Sequence, residues 1–217
     1  MFTGIIETIG TVIATKQLGG DIRITVQAPA FAERDVALGD SIASNGVCLT
    51  VIEQHGDAFV FDVSRETITH SLIGEWKVGA RVNLEMAMLP TTRLGGHLVS
   101  GHVDGLAQLC QLETDARSTR MVFRAPADLS RYIARKGSIT INGVSLTVNS
   151  VAGDEFDVNV IPHTFEVTTL GGLGIGDKVH IEVDLIARYL ERLMSGEQPQ
   201  HSSLTAGFLA EHGFKSS

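Results

Sequence analysis

Two imidazoles and a carboxylate fall within one short run, Gly95-Gly96-His97-Leu98-Val99-Ser100-Gly101-His102-Val103-Asp104. Imidazoles transfer protons near neutral pH and also ligate zinc. The zinc reading is weak. His97 and His102 lie an odd number of residues apart, so on a strand they point to opposite faces. Neither the helical HExxH spacing nor a cysteine partner accompanies them. What stays open is ligand binding or proton transfer by one histidine, against a plain reading as polar residues on a strand and turn. Cys48 is the other reactive type, set in Val47-Cys48-Leu49. A thiol becomes a nucleophile only beside a base or positive charge, and nothing local supplies either. A small core residue is the bland alternative. Gly171-Gly172-Leu173-Gly174-Ile175-Gly176 is out of register with GxGxxG and precedes a strand-like run, so it reads as a turn.

These residues sit in a duplication. Ser41-Ile42-Ala43-Ser44-Asn45-Gly46-Val47-Cys48-Leu49-Thr50-Val51 meets Ser138-Ile139-Thr140-Ile141-Asn142-Gly143-Val144-Ser145-Leu146-Thr147-Val148 at an offset of 97, with eight of eleven positions identical. The same offset carries Gly4 onto Gly101, Thr67 onto Thr164, Gly79 onto Gly176, Val82 onto Val179 and Glu85 onto Glu182. Phe61-Asp62-Val63 matches Phe156-Asp157-Val158 at 95, which calls for a two-residue shift there. The period is too long for a solenoid or propeller blade, so the units are domains. The expected boundaries are 1–96 and 97–184, with an unrepeated tail at 185–217. Cys48 aligns with Ser145, so two similar sites offer different polar groups at one position.

Each half reads as strands. Ile22-Arg23-Ile24-Thr25-Val26 and Arg81-Val82-Asn83-Leu84-Glu85 alternate, and Phe59-Val60-Phe61 is aromatic and branched. Asn45-Gly46 and Asn142-Gly143 between apolar runs signal tight hairpins. Short strands at this spacing imply a small sandwich or barrel per half. After Asp184, a reasonable N-cap, Leu185, Ile186, Tyr189, Leu190, Leu193 and Met194 recur at helical spacing. A helix ending near Ser195-Gly196, a polar linker to Ser203 and a short helical turn within 204–214 are expected.

Composition bounds the function. Apolar residues make up 43% and charged residues 19%, enough to build real cores. The net charge of −8 argues against a nucleic-acid backbone or an anionic membrane as partner. No apolar run approaches a spanning helix, and Met1-Phe2-Thr3-Gly4 opens no basic-then-apolar leader. Two cysteines are too few for a disulfide framework. A soluble cytoplasmic protein is the expectation.

Four motifs in order on this duplication resemble the riboflavin synthase alpha-chain family. They are Met1-Phe2-Thr3-Gly4-Ile5-Ile6, the paired Asn-Gly-Val-(Cys/Ser)-Leu-Thr-Val segments, Gly95 to His102, and Ile161-Pro162-His163-Thr164. The resemblance covers about residues 1–190. It implies two six-stranded Greek-key barrels and a C-terminal helix, all-β otherwise. It implies a homotrimer held by that helix, with sites between the first barrel of one subunit and the second of a neighbour. The implied reaction is dismutation of two molecules of 6,7-dimethyl-8-ribityllumazine, with no metal or organic cofactor. It further implies that Gly4-Ile5-Ile6, Val47-Cys48-Leu49 and Asp62-Val63-Ser64-Arg65-Glu66-Thr67 line the first-barrel site. Gly101-His102-Val103, Lys136, Ser145-Leu146-Thr147 and Asn159-Val160-Ile161-Pro162-His163-Thr164 line the second. His102 is expected to transfer protons, and Ser41 and Cys48 to act on the acceptor ring. Asn142 and Arg65 stand where some members carry Asp and Lys. The competing expectation is a non-catalytic lumazine-binding antenna protein, whose second half has lost much of its site.

Overall fold

The structure is a computed structural model, described here for residues 1–195. The expected linker to Ser203 and the turn within 204–214 lie outside those residues. The first half carries β1 (Thr8–Leu18), β2 (Asp21–Gln27), β3 (Ser41–Ser44), β4 (Val47–His55), β5 (Ala58–Val63), α1 (Arg65–His70) and β6 (Arg81–Met86). The second half repeats them as β7 (Gly105–Asp115), β8 (Ser118–Arg124), β9 (Ser138–Ile141), β10 (Val144–Ala152), β11 (Glu155–Val160), α2 (Pro162–Val167) and β12 (Lys178–Val183). Helix α3 (Leu185–Met194) begins one residue after Asp184.

Each half closes into a six-stranded antiparallel barrel. The order is β1-β2-β5-β4-β3-β6 in the first half, and the second closes the same way as β7-β8-β11-β10-β9-β12. Closure removes the unpaired edges that a short-stranded sheet would expose. One β-bulge falls in β1 between Val12 and Ala14 and another in β4 between Val51 and Glu53. Their counterparts fall between Leu109 and Gln111 and between Val148 and Ser150. A bulge bends its strand, and these bends turn a sheet of six strands into a barrel. The interiors are filled by the inward-facing apolar residues. Ile24, Phe61 and Leu84 pack in the first barrel, and their counterparts Met121, Val158 and Ile181 are buried in the second.

Strand pairing corrects one sequence alignment. Ile24 pairs with Phe61, and its counterpart Met121 pairs with Val158. The offset therefore stays at 97 throughout, and the match at 95 is a coincidence of similar residues. The structural equivalent of Asp62 is Asn159. Asp62 is exposed and holds Arg23 in a two-pronged ion pair at 2.7 and 3.0 Å. Asp157 is buried beside Arg120 (3.1 Å) and accepts from the Ser150 hydroxyl.

The barrels meet at their hairpin turns. Asn45 and Asn142 both have φ of 46°, and the following Gly46 and Gly143 have φ of 83° and 80°, the type I′ signature. A Cβ on Gly143 would lie 2.7 Å from the Gly46 nitrogen, so the turns stack only as glycines. Two equivalent side chains then bridge the halves. Asn83 donates from Nδ2 to the Asn142 carbonyl (2.9 Å) and accepts at Oδ1 from the Thr169 N–H (2.7 Å). His180 replaces that amide. Its Nε2 accepts from the Leu72 N–H (2.7 Å), so Nδ1 carries the proton, 2.8 Å from the Asn45 carbonyl. Burial drives the His180 pKa down to about 4, and the ring is neutral.

Helix α3 presents Ile186, Tyr189, Leu190, Leu193 and Met194 as exposed apolar side chains. No helix among the described residues is long and apolar enough to cross a membrane.

Candidate active site

Beside each barrel a leading segment is clamped by a buried glutamate. Glu85 accepts from Thr3 N–H (2.6 Å), Thr3 Oγ1 (2.7 Å) and Gly4 N–H (2.9 Å). Glu182 accepts from Ser100 N–H (2.6 Å), Ser100 Oγ (2.7 Å) and Gly101 N–H (2.9 Å). Burial raises both carboxyl pKa values above the ordinary range, and the three donors pull back against it. Each clamp delivers its glycine carbonyl to the opposite barrel. The Gly4 carbonyl accepts from the Ser145 N–H (2.7 Å), and the Gly101 carbonyl accepts from the Cys48 N–H (2.8 Å).

This exchange decides which residues share a site. His102 and Val103, from the second half, line a cleft of about 430 Å³ with Val47 and Cys48 of the first. Glu66 and Thr67 from α1, with His70, Ser71, Gly101 and Asp104, complete it. Ser64 caps α1 by accepting from the Thr67 N–H (3.3 Å), which fixes the turn carrying Glu66 and Thr67. The cleft sets a thiol, two imidazoles, hydroxyls and carboxylates around a space within the range of small-molecule sites. Such a set grips a polar ligand bearing hydroxyl groups and moves protons on it.

The expected groupings are thus exchanged. Gly101, His102 and Val103 were assigned to the site of Ser145, and they stand with Cys48. Gly4 was assigned to the site of Cys48, and it bonds Ser145. Ser41 does not line the smaller cleft. It pairs with Thr50 and lines a second cavity, of about 770 Å³, with Ile5, Arg34, Met86 to Leu89 and Arg93. Asp62 and Asn159 point outward: Asn159 Nδ2 bonds Asp115 at 2.7 Å. Val63 and Val160 are buried. Arg65 is anchored by its N–H to Asp21 (2.9 Å). Pro162 opens α2, with Ile161 before it and His163 and Thr164 in its first turn. Leu49 is buried in the first barrel, while Leu146 and Thr147 lie on β10 opposite Ile139 and Ser138. Lys136 takes φ of 66°, where its counterpart Gly39 has 95°. His70 and Ser71 line the smaller cleft without having been singled out, and only the fold brings them there; Asp104, the carboxylate of the His97–Asp104 run, lies beside them. Among the described residues, no group of three or more metal-ligating side chains is placed to hold a metal ion.

The lumazine-binding-domain model matches the chain twice, at residues 3–87 and 100–184. The riboflavin synthase of Photobacterium phosphoreum is 45% identical over 216 residues, covering 99% of each chain. The chain belongs to the riboflavin synthase family. The riboflavin synthase of Bacillus subtilis is 40% identical, covering 99% of this chain and all of that one. Among solved structures, LumP complexed with riboflavin matches with a TM-score of 0.78 and 27% identity, over 84% of this chain and 99% of the other. LumP complexed with 6,7-dimethyl-8-(1′-D-ribityl)lumazine matches with a TM-score of 0.76. The family's duplicated lumazine-binding domain coincides with the two barrels, and the exchanged glycines lie one residue inside its two matched segments.

Proposed function

We propose that this chain catalyses the dismutation of two molecules of 6,7-dimethyl-8-ribityllumazine. One gives up a four-carbon unit to the other, and the products are riboflavin and 5-amino-6-ribitylaminouracil. The observation that carries the reading is the reciprocal exchange of Gly4 and Gly101, which equips both barrels with equivalent places for one ligand. A reaction between two copies of one molecule is served by two copies of one site. The lumazine ring delocalises the carbanion formed at its 7-methyl group, so it supplies its own electron sink. The protein then holds two rings in register, which lowers such a barrier by about 7–11 kcal/mol, and transfers protons.

In this reading His102 moves the proton in the smaller cleft and Cys48 faces the acceptor ring. Glu66, Thr67 and Ser71 take the ribityl hydroxyls. Ser41 acts from the larger cavity, outside this assignment. The reading includes a cytoplasmic location and a homotrimer; the exposed apolar residues of α3 support self-association. The names of the full-length relatives support a synthase, while LumP supports plain ligand binding.

The test mixes purified protein with the lumazine, without added metal or nicotinamide, and follows riboflavin absorbance. Repeated turnover at one riboflavin per two lumazines is expected. Tight binding without turnover would leave a carrier, and neither binding nor turnover by folded protein would overturn the ligand itself.

A further inference from the structure

Cys48 and Ser145 are equivalent in the duplication, and their N–H groups have equivalent partners. Their side chains do not. Ser145 Oγ lies 2.7 Å from His97 Nδ1. Among the described residues no imidazole is hydrogen-bonded to Cys48. His97 belongs to the stretch joining the two barrels, between β6 and β7, which the chain contains once.

The main chain carrying the ring is fixed at two points. The His97 N–H donates to the Thr3 carbonyl (3.1 Å). Gly96 lets the stretch lie flat: a Cβ there would sit 2.2 Å from the Thr3 oxygen and 2.8 Å from Ser145 Oγ. The far nitrogen, His97 Nε2, is buried with no hydrogen-bond partner. Burial lowers the His97 pKa, against the pull of the Asp184 carboxylate, and keeps the ring neutral. A neutral imidazole has one donor and one acceptor nitrogen. When the Ser145 hydroxyl donates to Nδ1, Nε2 bears the proton, and a buried donor is left without an acceptor.

We propose that His97 is a ligand-positioning residue of the Ser145 site alone, turning the Ser145 hydroxyl and offering Nε2–H to a carbonyl oxygen or ring nitrogen of the bound heterocycle. The two duplicated sites therefore hold the same molecule unequally. This rests on the lumazine reading above.

The test titrates the full-length protein and its variants with 6,7-dimethyl-8-ribityllumazine, following ligand fluorescence. Wild type is expected to show two binding phases. His97→Phe keeps the ring volume and removes both nitrogens. It should weaken one phase about tenfold and leave the other within twofold. His97→Gln, which restores a side-chain N–H, should recover part of the loss. Ser145→Ala should weaken the same phase and serves if His97→Phe does not fold. The double variant should be no weaker than the worse single one, because the pair acts as one unit. Equal weakening of both phases, no change in either, or multiplying effects would overturn the proposal while leaving the lumazine reading standing. Wild type that binds no lumazine would overturn both.

Discussion

Acid should loosen the barrel–barrel junction through His180, and the asparagine at its equivalent position shows how to remove the effect. The unfolded imidazole takes up a proton near pH 6.5, and the folded one near 4. Between those values the unfolded state binds more protons, so stability falls as the pH drops. The ceiling is about 2.5 pKa units, or about 3 kcal/mol. His180 is 1% exposed, so solvent screening takes little from this. Glu85 and Glu182 run the other way. Their folded pKa values are raised, so they contribute stability as the pH falls through those values. The wild-type curve is therefore a sum, and the difference from His180→Asn isolates the histidine. Asparagine can keep both bridging hydrogen bonds, as Asn83 does. It loses the packing of the Trp76 ring, 6.4 Å away between centroids, at about 1 kcal/mol. The variant should be the less stable at pH 7, and the curves should cross between about pH 5 and 6. Urea unfolding from pH 7.5 to 4, followed by the fluorescence of the single tryptophan, Trp76, measures this directly. Wild-type and variant curves running parallel over that range would refute the reasoning.

Other outcomes follow from the same geometry. His102→Gln should lower kcat for riboflavin formation about 100-fold with little change in KM, as loss of a proton-transfer group does; an unchanged kcat would remove His102 from the chemistry. Cys48→Ser reproduces the side chain of its counterpart Ser145 and should keep the rate within about tenfold, since no proton-accepting partner marks Cys48 as a nucleophile; inactivity of the folded variant would contradict this. Gly143→Ala forces an L residue into φ of 80° and a Cβ within 2.7 Å of the Gly46 nitrogen. It should cost more than about 2 kcal/mol in urea unfolding, and a change under about 0.5 kcal/mol would show that the turns do not stack. Glu182→Gln leaves a carboxamide facing the donors of Ser100 and Gly101 and should cost about 1.5–3 kcal/mol at pH 7. The deficit should grow toward acid pH, because the raised folded pKa of Glu182 adds stability to the wild type as the pH falls and the amide takes up no proton there.

The barrels were legible because their determinants are local and repeated. Alternation marks the strands, Asn45-Gly46 and Asn142-Gly143 mark the turns, and the offset marks the duplication. The site was legible as a set of residues but not as a partition. Which glycine meets which strand depends on contacts such as Gly4 to Ser145, set by packing across the whole chain. Similar residues at 95 likewise mimicked an equivalence that only strand pairing resolves. His97 was visible as an imidazole, yet nothing in its neighbours points to Ser145. Glu85 and Glu182 were visible as a repeated pair, but a carboxylate aimed at backbone N–H groups has no sequence signature.

The exchange of leading segments also sets an order of events during synthesis. Glu85 can clamp Thr3 and Gly4 once the first barrel has been made, but the partner of the Gly4 carbonyl is the Ser145 N–H. At about 5–20 residues per second, the ribosome delivers Ser145 roughly 7–30 s after Gly4. For that interval a nascent first barrel holds its opening segment over bare ground, although the Cys48 N–H meets its partner sooner, when Gly101 is made. The earliest residues to leave the ribosome are among the last to reach their final neighbours, and a chaperone binding the nascent chain would find its foothold there.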